Sequence, residues 1–317
     1  MPVRKKAIVH RFAHEAMATV FEVFIAGKDE AYAGQAARAA FDEADRLERL
    51  FSRFDPSSET SRISRLRPGE SLRIGIETAQ VLGLAAFVQR ETGGAFDVNH
   101  LAAGRCPGPL PKAGPPRLGR LIRIRQTGRG FEVERPPGRG RTSAARLDLD
   151  VGAIGKGYAL DSALAVLAEW DVDNVLLHAG TSTAMAAGPG PEKRNGRWGW
   201  PVGAGCAADA TSGPGRVLLR DRALSGSGTE VKGGHIVDPR TGRQAGGHLA
   251  AWASHPSAAA ADALSTAFLV MATADVAAFC DRHPEVWALV KNGPKKCRIF
   301  NRDAISGGRP GRTRRQR

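Results

Sequence analysis

The sequence is short of the residues that would make it a thiolate metal site, a disulfide scaffold or a membrane span. Its four cysteines, Cys106, Cys206, Cys280 and Cys297, are scattered, and no two stand as CxxC. That spacing suggests neither a zinc site nor a disulfide framework. No run of 18 apolar residues occurs, so no membrane-spanning helix is expected. Aromatics are few, with 12 Phe, 5 Trp and 2 Tyr in 317 residues, so the core must rest on Ala, Leu, Val and Ile. The start, MPVRKKAIVHRFAHEA, is basic but has no apolar stretch behind it and no lipidation cysteine. No secretory signal is expected, and a cytoplasmic location is the default reading. Two nucleotide signatures are also missing. There is no GxxxxGK[ST], and the glycines at 152, 155 and 157 are not spaced as GxGxxG.

Acidic charge is scarce too, and the net charge is +14. The excess is local. Residues 291–317 carry a net +9 and residues 105–146 another +9, which leaves −4 for the rest of the chain. A solvated tail and a surface insertion account for that pattern. A nucleic-acid-binding module would need an aromatic platform among the arginines, and none interleaves with them.

Forty-two per cent of the residues are hydrophobic, which fits a folded chain, and 38 Gly with 19 Pro imply many turns. Residues 17–26 read as a strand ending at a Gly27-Lys28-Asp29 turn. Ala33, Ala37, Ala40, Ala44, Leu47 and Leu50 recur at helical spacing, which predicts a helix over 30–51. A second helix is expected over 74–90, stopping near Thr92-Gly93-Gly94. Residues 103–120, rich in Gly, Pro and Arg, are expected to pack no core. Residues 121–125 and 130–134 read as a hairpin, and 147–151 as a short strand. Further strands are expected at 174–178, 216–219, 235–237, 247–253 and 286–290. Helices are expected at 156–170, 256–271 and 275–282. Residues 301–317 read as a disordered tail. The alternation is too irregular for a Rossmann domain and predicts an α+β or complex α/β fold.

Three segments can carry chemistry. In DLDVGAIGKGYALDSALAVL, residues 148–167, a strand enters a glycine turn and a helix. Small residues there let backbone N–H groups approach a phosphate, with Lys156 at the helix start. The bland reading is a tight connection with Lys156 solvated. In the second segment Asp262 and Thr266 are four apart and share one face of an otherwise apolar helix. A carboxylate there needs a partner. Magnesium beside a diphosphate is one, since it takes oxygen ligands. The alternative is a hydrogen bond from Asp262's surroundings, with Thr266 bonded back to the Asp262 carbonyl. The third segment is Gly233–Gly242, where His235 can move a proton near neutral pH and Asp238 can orient it or cap the turn. His178, at the end of a buried strand, reads as a core histidine.

Taken in order, these segments resemble the ApbE family, the FAD:protein FMN transferases, from about Met17 to Val290. Met17-Ala18-Thr19 is similar to the family's Met-Gly-Thr. Residues 47–64, LERLFSRFDPSSETSRIS, resemble its first flavin-side segment, with Ser64 where Asn is usual. TGGAFDV (92–98), the 148–161 block, HIVDPRTG (235–242) and ADALSTA (261–267) complete six collinear blocks. The resemblance implies a two-lobed α+β fold, with mixed sheets and flanking helices around a central cleft that holds FAD. It divides the chain into an extension (1–16), the transferase domain (17–300, with a basic insertion at about 103–146) and a tail (301–317).

The same resemblance implies site residues. Magnesium would be held by Asp262, Thr266 and the backbone carbonyl of Gly155. FAD contacts would fall at Met17, Ser64, Phe96, Asp97, Lys156, Tyr158 and His235. Lys156 would stabilise phosphoryl charge, and His235 would be the base toward a Ser or Thr of an acceptor flavoprotein, often a membrane redox subunit. Two departures stand out. The family's Gly-Gly-Asp is Gly180-Thr181-Ser182 here, so a carboxylate is missing, and its Thr-Ser-Gly is Gly226-Ser227-Gly228. The competing readings are an FAD-binding protein without transferase activity, and an Mg-dependent hydrolase giving FMN and AMP.

Overall fold

Residues 8–104, 116–128, 130–138, 145–204, 215–228, 236–293 and 296–306 are described by the structure, a computed structural model. The chain begins with a hairpin, β1 (Val9–Ala16) and β2 (Thr19–Ala26). Its two-residue turn, Met17-Ala18, has positive φ at both positions (51° and 55°), the twist that tight hairpins need and that non-glycine residues rarely adopt. Helix α1 (Glu30–Phe51) follows, capped by Asp29, whose side chain accepts from the Tyr32 amide. Its buried stripe is mostly alanine, which allows close packing on α6. Then come α2 (Glu59–Ser64), β3 (Ser71–Ile74), α3 (Ile76–Glu91), α4 (His100–Gly104) and α5 (Leu118–Leu121). β4 (Arg123–Thr127) and β5 (Gly130–Glu134) form the expected hairpin, and with β3 make a sheet ordered β3-β5-β4.

Helix α6 (Gly155–Glu169) leads to β6 (Val175–Ala179) and β7 (Thr183–Ala187). β8 (Glu192–Arg194), β9 (Arg197–Ala204) and β10 (Gly215–Leu219) make a second small sheet. β11 (Arg222–Gly228), the ribbon of β12 (Val237–Asp238) with β13 (Arg243–Gln244), and β14 (Ala250–His255) follow. The chain then forms α7 (Ala258–Val270), α8 (Thr273–Arg282), β15 (Trp287–Gly293), β16 (Lys296–Phe300) and a 3₁₀ turn at Ala304–Ser306.

The main sheet has eight strands in the order β1-β2-β6-β7-β11-β14-β15-β16. Every pairing among the described residues is antiparallel, so the mixture of sheets lies in their size and not in strand direction. One face of the main sheet carries α1, α6 and α7 and the larger core. The other is covered around Leu176, Ala186, Leu224 and Leu289 by Trp200, Val202 and Leu219 of the second small sheet. Central strands are therefore apolar on both faces, which explains why they lack simple alternation.

Four expectations need correction. Residues 9–16 are no appendage, because β1 pairs with β2 along its whole length. Residues 147–151 form no strand. Their backbone is held by side chains and one loop bond: Leu149 N donates to Ser64 Oγ at 3.0 Å, Asp148 N to Asn99 Oδ1 at 2.7 Å, and Asp150 N to Val98 O at 2.7 Å. The stretch 103–120 does enter the core, through Leu118, which is 2% exposed and whose amide donates to Gln89 Oε1. The described start of the tail is also packed. Asn301 Nδ2 donates to three carbonyls, those of Cys280, His283 and Val286. Residues 105–115 and 139–144 of the insertion, and 307–317 of the tail, lie outside the described residues.

Candidate active site

The first turns of α6 and α7 meet backbone to backbone. A Cβ built on Gly157 would lie 2.2 Å from the Ala258 carbonyl oxygen, so only glycine permits this approach. Each helix then satisfies the other's free amides. Gly157 N donates to Asp262 Oδ2 at 3.2 Å. In return Asp161 of α6 accepts from Ala258 N (2.7 Å), Ala259 N (3.0 Å) and Ser257 Oγ (2.7 Å) at the start of α7. Burial raises the Asp161 pKa, and these three donors oppose that rise.

Every residue of α7 is buried except Thr266. The helix is apolar almost all round, yet Asp262, one turn before Thr266, is 4% exposed and carries a carboxylate. Its Oδ1 accepts from Thr183 Oγ1 and Ser225 Oγ, each at 3.2 Å. Lys156 Nζ stands 3.8 Å from Oδ2 and donates to the Gly152 carbonyl at 2.6 Å. The Lys156 side chain is 21% exposed, so the ammonium lies between the buried carboxylate and solvent. Thr266 Oγ1 lies 3.4 Å from the Asp262 carbonyl, the back-bonded arrangement, and 3.2 Å from Ser227 Oγ.

The other sequence blocks border this centre. Ser64 and the Val98-Asn99 segment hold the backbone of 148–150, which runs into Gly155, the first residue of α6. Phe96 is in the core. Asp97 is buried, accepts from Asn99 N at 2.8 Å, and has its pKa pushed up to about 6 by desolvation. Arg240 packs its side chain against Gly94 and is gripped at 2.9 Å by both oxygens of Asp238. Asp238 therefore closes its own turn. His235 lies outside the described residues. Tyr158 turns to α3, where its hydroxyl donates to Gln80 Oε1 at 2.5 Å, and burial pushes its pKa to about 12. Beside β2, Gly180 N donates to Val20 O at 2.8 Å, which seats the Met17-Ala18 turn next to the Gly180–Ser182 loop. His178 packs edge-on against Phe24 and burial lowers its pKa, as befits a neutral core histidine.

Among the described residues no three His, Cys, Asp or Glu are grouped to hold a metal. The donors here are one carboxylate and several hydroxyls, all hard oxygens. That set suits magnesium, which keeps waters and shares a substrate's phosphates, and does not suit zinc or iron. The residues fit the expected ion. Residue-by-residue reading missed Thr183, Ser225, Ser227 and Ser265. A signal existed for two of them, since Ser225 and Ser227 are two apart on a strand and so share a face.

A family model described as the ApbE family matches residues 17–290. This chain belongs to the ApbE family. Solved structures of similar fold include the apo form of a flavinyl transferase ApbE from Pseudomonas stutzeri, with a TM-score of 0.71 and 20% identity over 95% of this chain and 98% of that one. The flavin transferase ApbE from Vibrio cholerae gives 0.73 and 18% over 95% and 99%. The ApbE protein from Thermotoga maritima gives 0.69 and 22% over 89% and 94%. None of the curated proteins matches at a significant level. The ApbE match starts at Met17, one residue after β1, yet β1 is a full member of the main sheet.

Proposed function

We propose that the chain transfers the FMN unit of FAD to a Ser or Thr hydroxyl of an acceptor flavoprotein and releases AMP, in a magnesium-dependent reaction. One observation carries the reading. A fully buried apolar helix places its lone carboxylate, Asp262, and its lone partly exposed residue, Thr266, one turn apart, with Lys156 Nζ 3.8 Å from the carboxylate. An apolar helix bears the cost of a buried carboxylate most readily where that group has a cationic ligand to bind.

Bound magnesium would neutralise charge on the diphosphate of FAD. Asp262 and Thr266, with the Gly155 carbonyl from the family resemblance, would hold it. Lys156, with its ammonium 3.8 Å from Asp262 Oδ2, would lend its charge to stabilise the transferring phosphoryl group. The acceptor oxygen attacks the FMN-side phosphorus, the bond to the bridging oxygen breaks, and AMP leaves with that oxygen. The acceptor's proton passes to His235, the base that the family resemblance assigns. Met17, Ser64, Phe96, Asp97 and Tyr158 would shape the FAD side of the site, with Ser64 and Asp97 acting through the backbone they fix and Phe96 through the core it packs in. Ser182 stands where the family carboxylate is missing, so this wall carries less negative charge.

The test mixes purified protein, FAD, MgCl₂ and a candidate acceptor, and reads the intact mass of the acceptor. The expected result is a gain of one FMN that requires Mg²⁺ and disappears with Asp262→Ala. Free FMN with an unmodified acceptor would point to hydrolysis instead. FAD binding without either product would leave a binding protein. No helix among the described residues is long and apolar enough to cross a membrane.

A further inference from the structure

The hydroxyls behind Asp262 form a connected series that neither the motifs nor the family match assigns. Ser227 Oγ lies 3.2 Å from Thr266 Oγ1 and 2.9 Å from Ser265 Oγ. Ser265 Oγ lies 3.3 Å from Ser225 Oγ, and Ser225 Oγ is 3.2 Å from Asp262 Oδ1. Thr183 Oγ1 reaches the same Oδ1 at 3.2 Å and Ser225 at 3.0 Å. Thr183, Ser225 and Ser265 are at most 2% exposed, so water does not compete for these bonds. They come from three elements: β7, β11 and α7.

A hydroxyl has one proton to give and two lone pairs. An ionised carboxylate can only accept, so it fixes the direction of everything bonded to it. With Ser225 and Thr183 both donating to Oδ1, the Asp262 carbonyl, which also only accepts, takes the Ser265 proton at 3.0 Å, Ser227 donates to Ser265, and Thr266 donates toward Ser227 and the same carbonyl, 3.4 Å away. The hydroxyl protons are then directed at the carboxylate or carbonyl of Asp262, or at a hydroxyl bonded to one of them, with Thr183 and Ser225 also in contact with each other at 3.0 Å. Two consequences follow at the mouth of the site. Oδ1 is committed inward, while Oδ2, which accepts from Gly157 N and faces Lys156, keeps a second lone pair for an incoming cation. Thr266 directs its proton inward, at Ser227 and the Asp262 carbonyl, which leaves a lone pair to act as a ligand.

We propose that Thr183, Ser225, Ser265 and Ser227 are positioning residues, a connected hydroxyl cluster that sets Asp262 Oδ2 and Thr266 Oγ1 as a matched pair of oxygen ligands. The inference rests on the magnesium-dependent reading above and deepens it. It also gives the Gly226-Ser227-Gly228 segment a role, since Ser227 is the link that reaches Thr266.

The test titrates MgCl₂ into the FAD-loaded full chain and follows FAD fluorescence, with no acceptor present. The double variant Thr183→Val/Ser225→Ala should bind Mg²⁺ roughly 10- to 100-fold more weakly, the usual loss when groups orienting a ligand are removed. Its FAD affinity in EDTA should stay within about twofold, a ratio that a merely structural defect would not preserve. Thr183→Ser, which keeps the hydroxyl, should restore wild-type Mg²⁺ affinity in the Ser225-containing background. If the double variant does not fold, Ser265→Ala, which removes the hydroxyl joining Ser227 to Ser225 and to the Asp262 carbonyl, should show the same selective loss. A wild-type chain that responds to Mg²⁺ alongside variants that respond equally would overturn the positioning role alone. A wild-type chain with FAD bound but no response to Mg²⁺ would overturn the magnesium reading and this inference with it.

Discussion

Gly157→Ala separates two opposite expectations. In an isolated helix the change is favourable by about 1 kcal/mol, because alanine has less backbone freedom to lose. Here the new Cβ would meet Ala258 O at 2.2 Å, Ala258 C at 2.5 Å and Ala259 Cα at 2.7 Å. All three obstacles are backbone atoms, so no rotamer change relieves them, and α6 and α7 must part by about 1 Å to restore normal contact. That movement stretches the Gly157–Asp262 bond and the three bonds held by Asp161. At about 1 kcal/mol for each hydrogen bond, with an overpacking cost of similar size and the propensity gain set against it, the net loss is about 4 kcal/mol. Urea unfolding followed by tryptophan fluorescence measures it. Gly83→Ala in α3 is the control, since a Cβ there meets nothing within 4 Å and the variant should be stabilised by about 1 kcal/mol. A Gly157→Ala protein as stable as wild type would refute the backbone contact on which the site is built.

Other outcomes follow from the same geometry. Asp161→Ala leaves two α7 amides and the Ser257 hydroxyl without their acceptor and should cost roughly 2–4 kcal/mol by chemical denaturation. Asp97 has a raised folded pKa of about 6 against an ordinary 3.8, so its stabilising contribution is present below pH 3.8 and is lost as pH rises through about 6. Asp97→Asn, which can still accept from Asn99 N, should therefore gain on wild type by about 3 kcal/mol between pH 4 and 7, and parallel stability curves for the two proteins would show that this carboxyl is not buried as described. Lys156→Met should lower FMN-transfer turnover by roughly 10²-fold at saturating FAD, with a change in KM alone arguing against a role in the transferring step.

The parts of the fold legible in the sequence were those with strong local signals. The alanine stripe gave α1 within its observed ends, and the apolar run after Ser257 gave α7. β7 (TAMAA) and β11 (RALSGSG) carry few good strand formers, and both were invisible because tertiary packing on two faces overrides weak propensity. β1 was hidden by its half-exposed alternation and basic start, while the stretch at 147–151 looked like a strand but finds side-chain partners instead. At the site, the pairing of Asp262 with Thr266 was readable because i,i+4 residues share a helix face. Their link to Thr183 and Ser225 was not readable, because those contacts span 79 and 37 residues. Ser64, Phe96 and Asp97 sit at the right blocks, yet their side chains serve the backbone or the core of the described structure.

Crystals grown with FAD and MnCl₂, measured at the manganese edge, test the metal-and-diphosphate centre directly. An anomalous peak roughly 2 Å from both Asp262 Oδ2 and Thr266 Oγ1, touching the FAD diphosphate, is the expected result. FAD bound with its diphosphate elsewhere, and no peak beside α7, would contradict it.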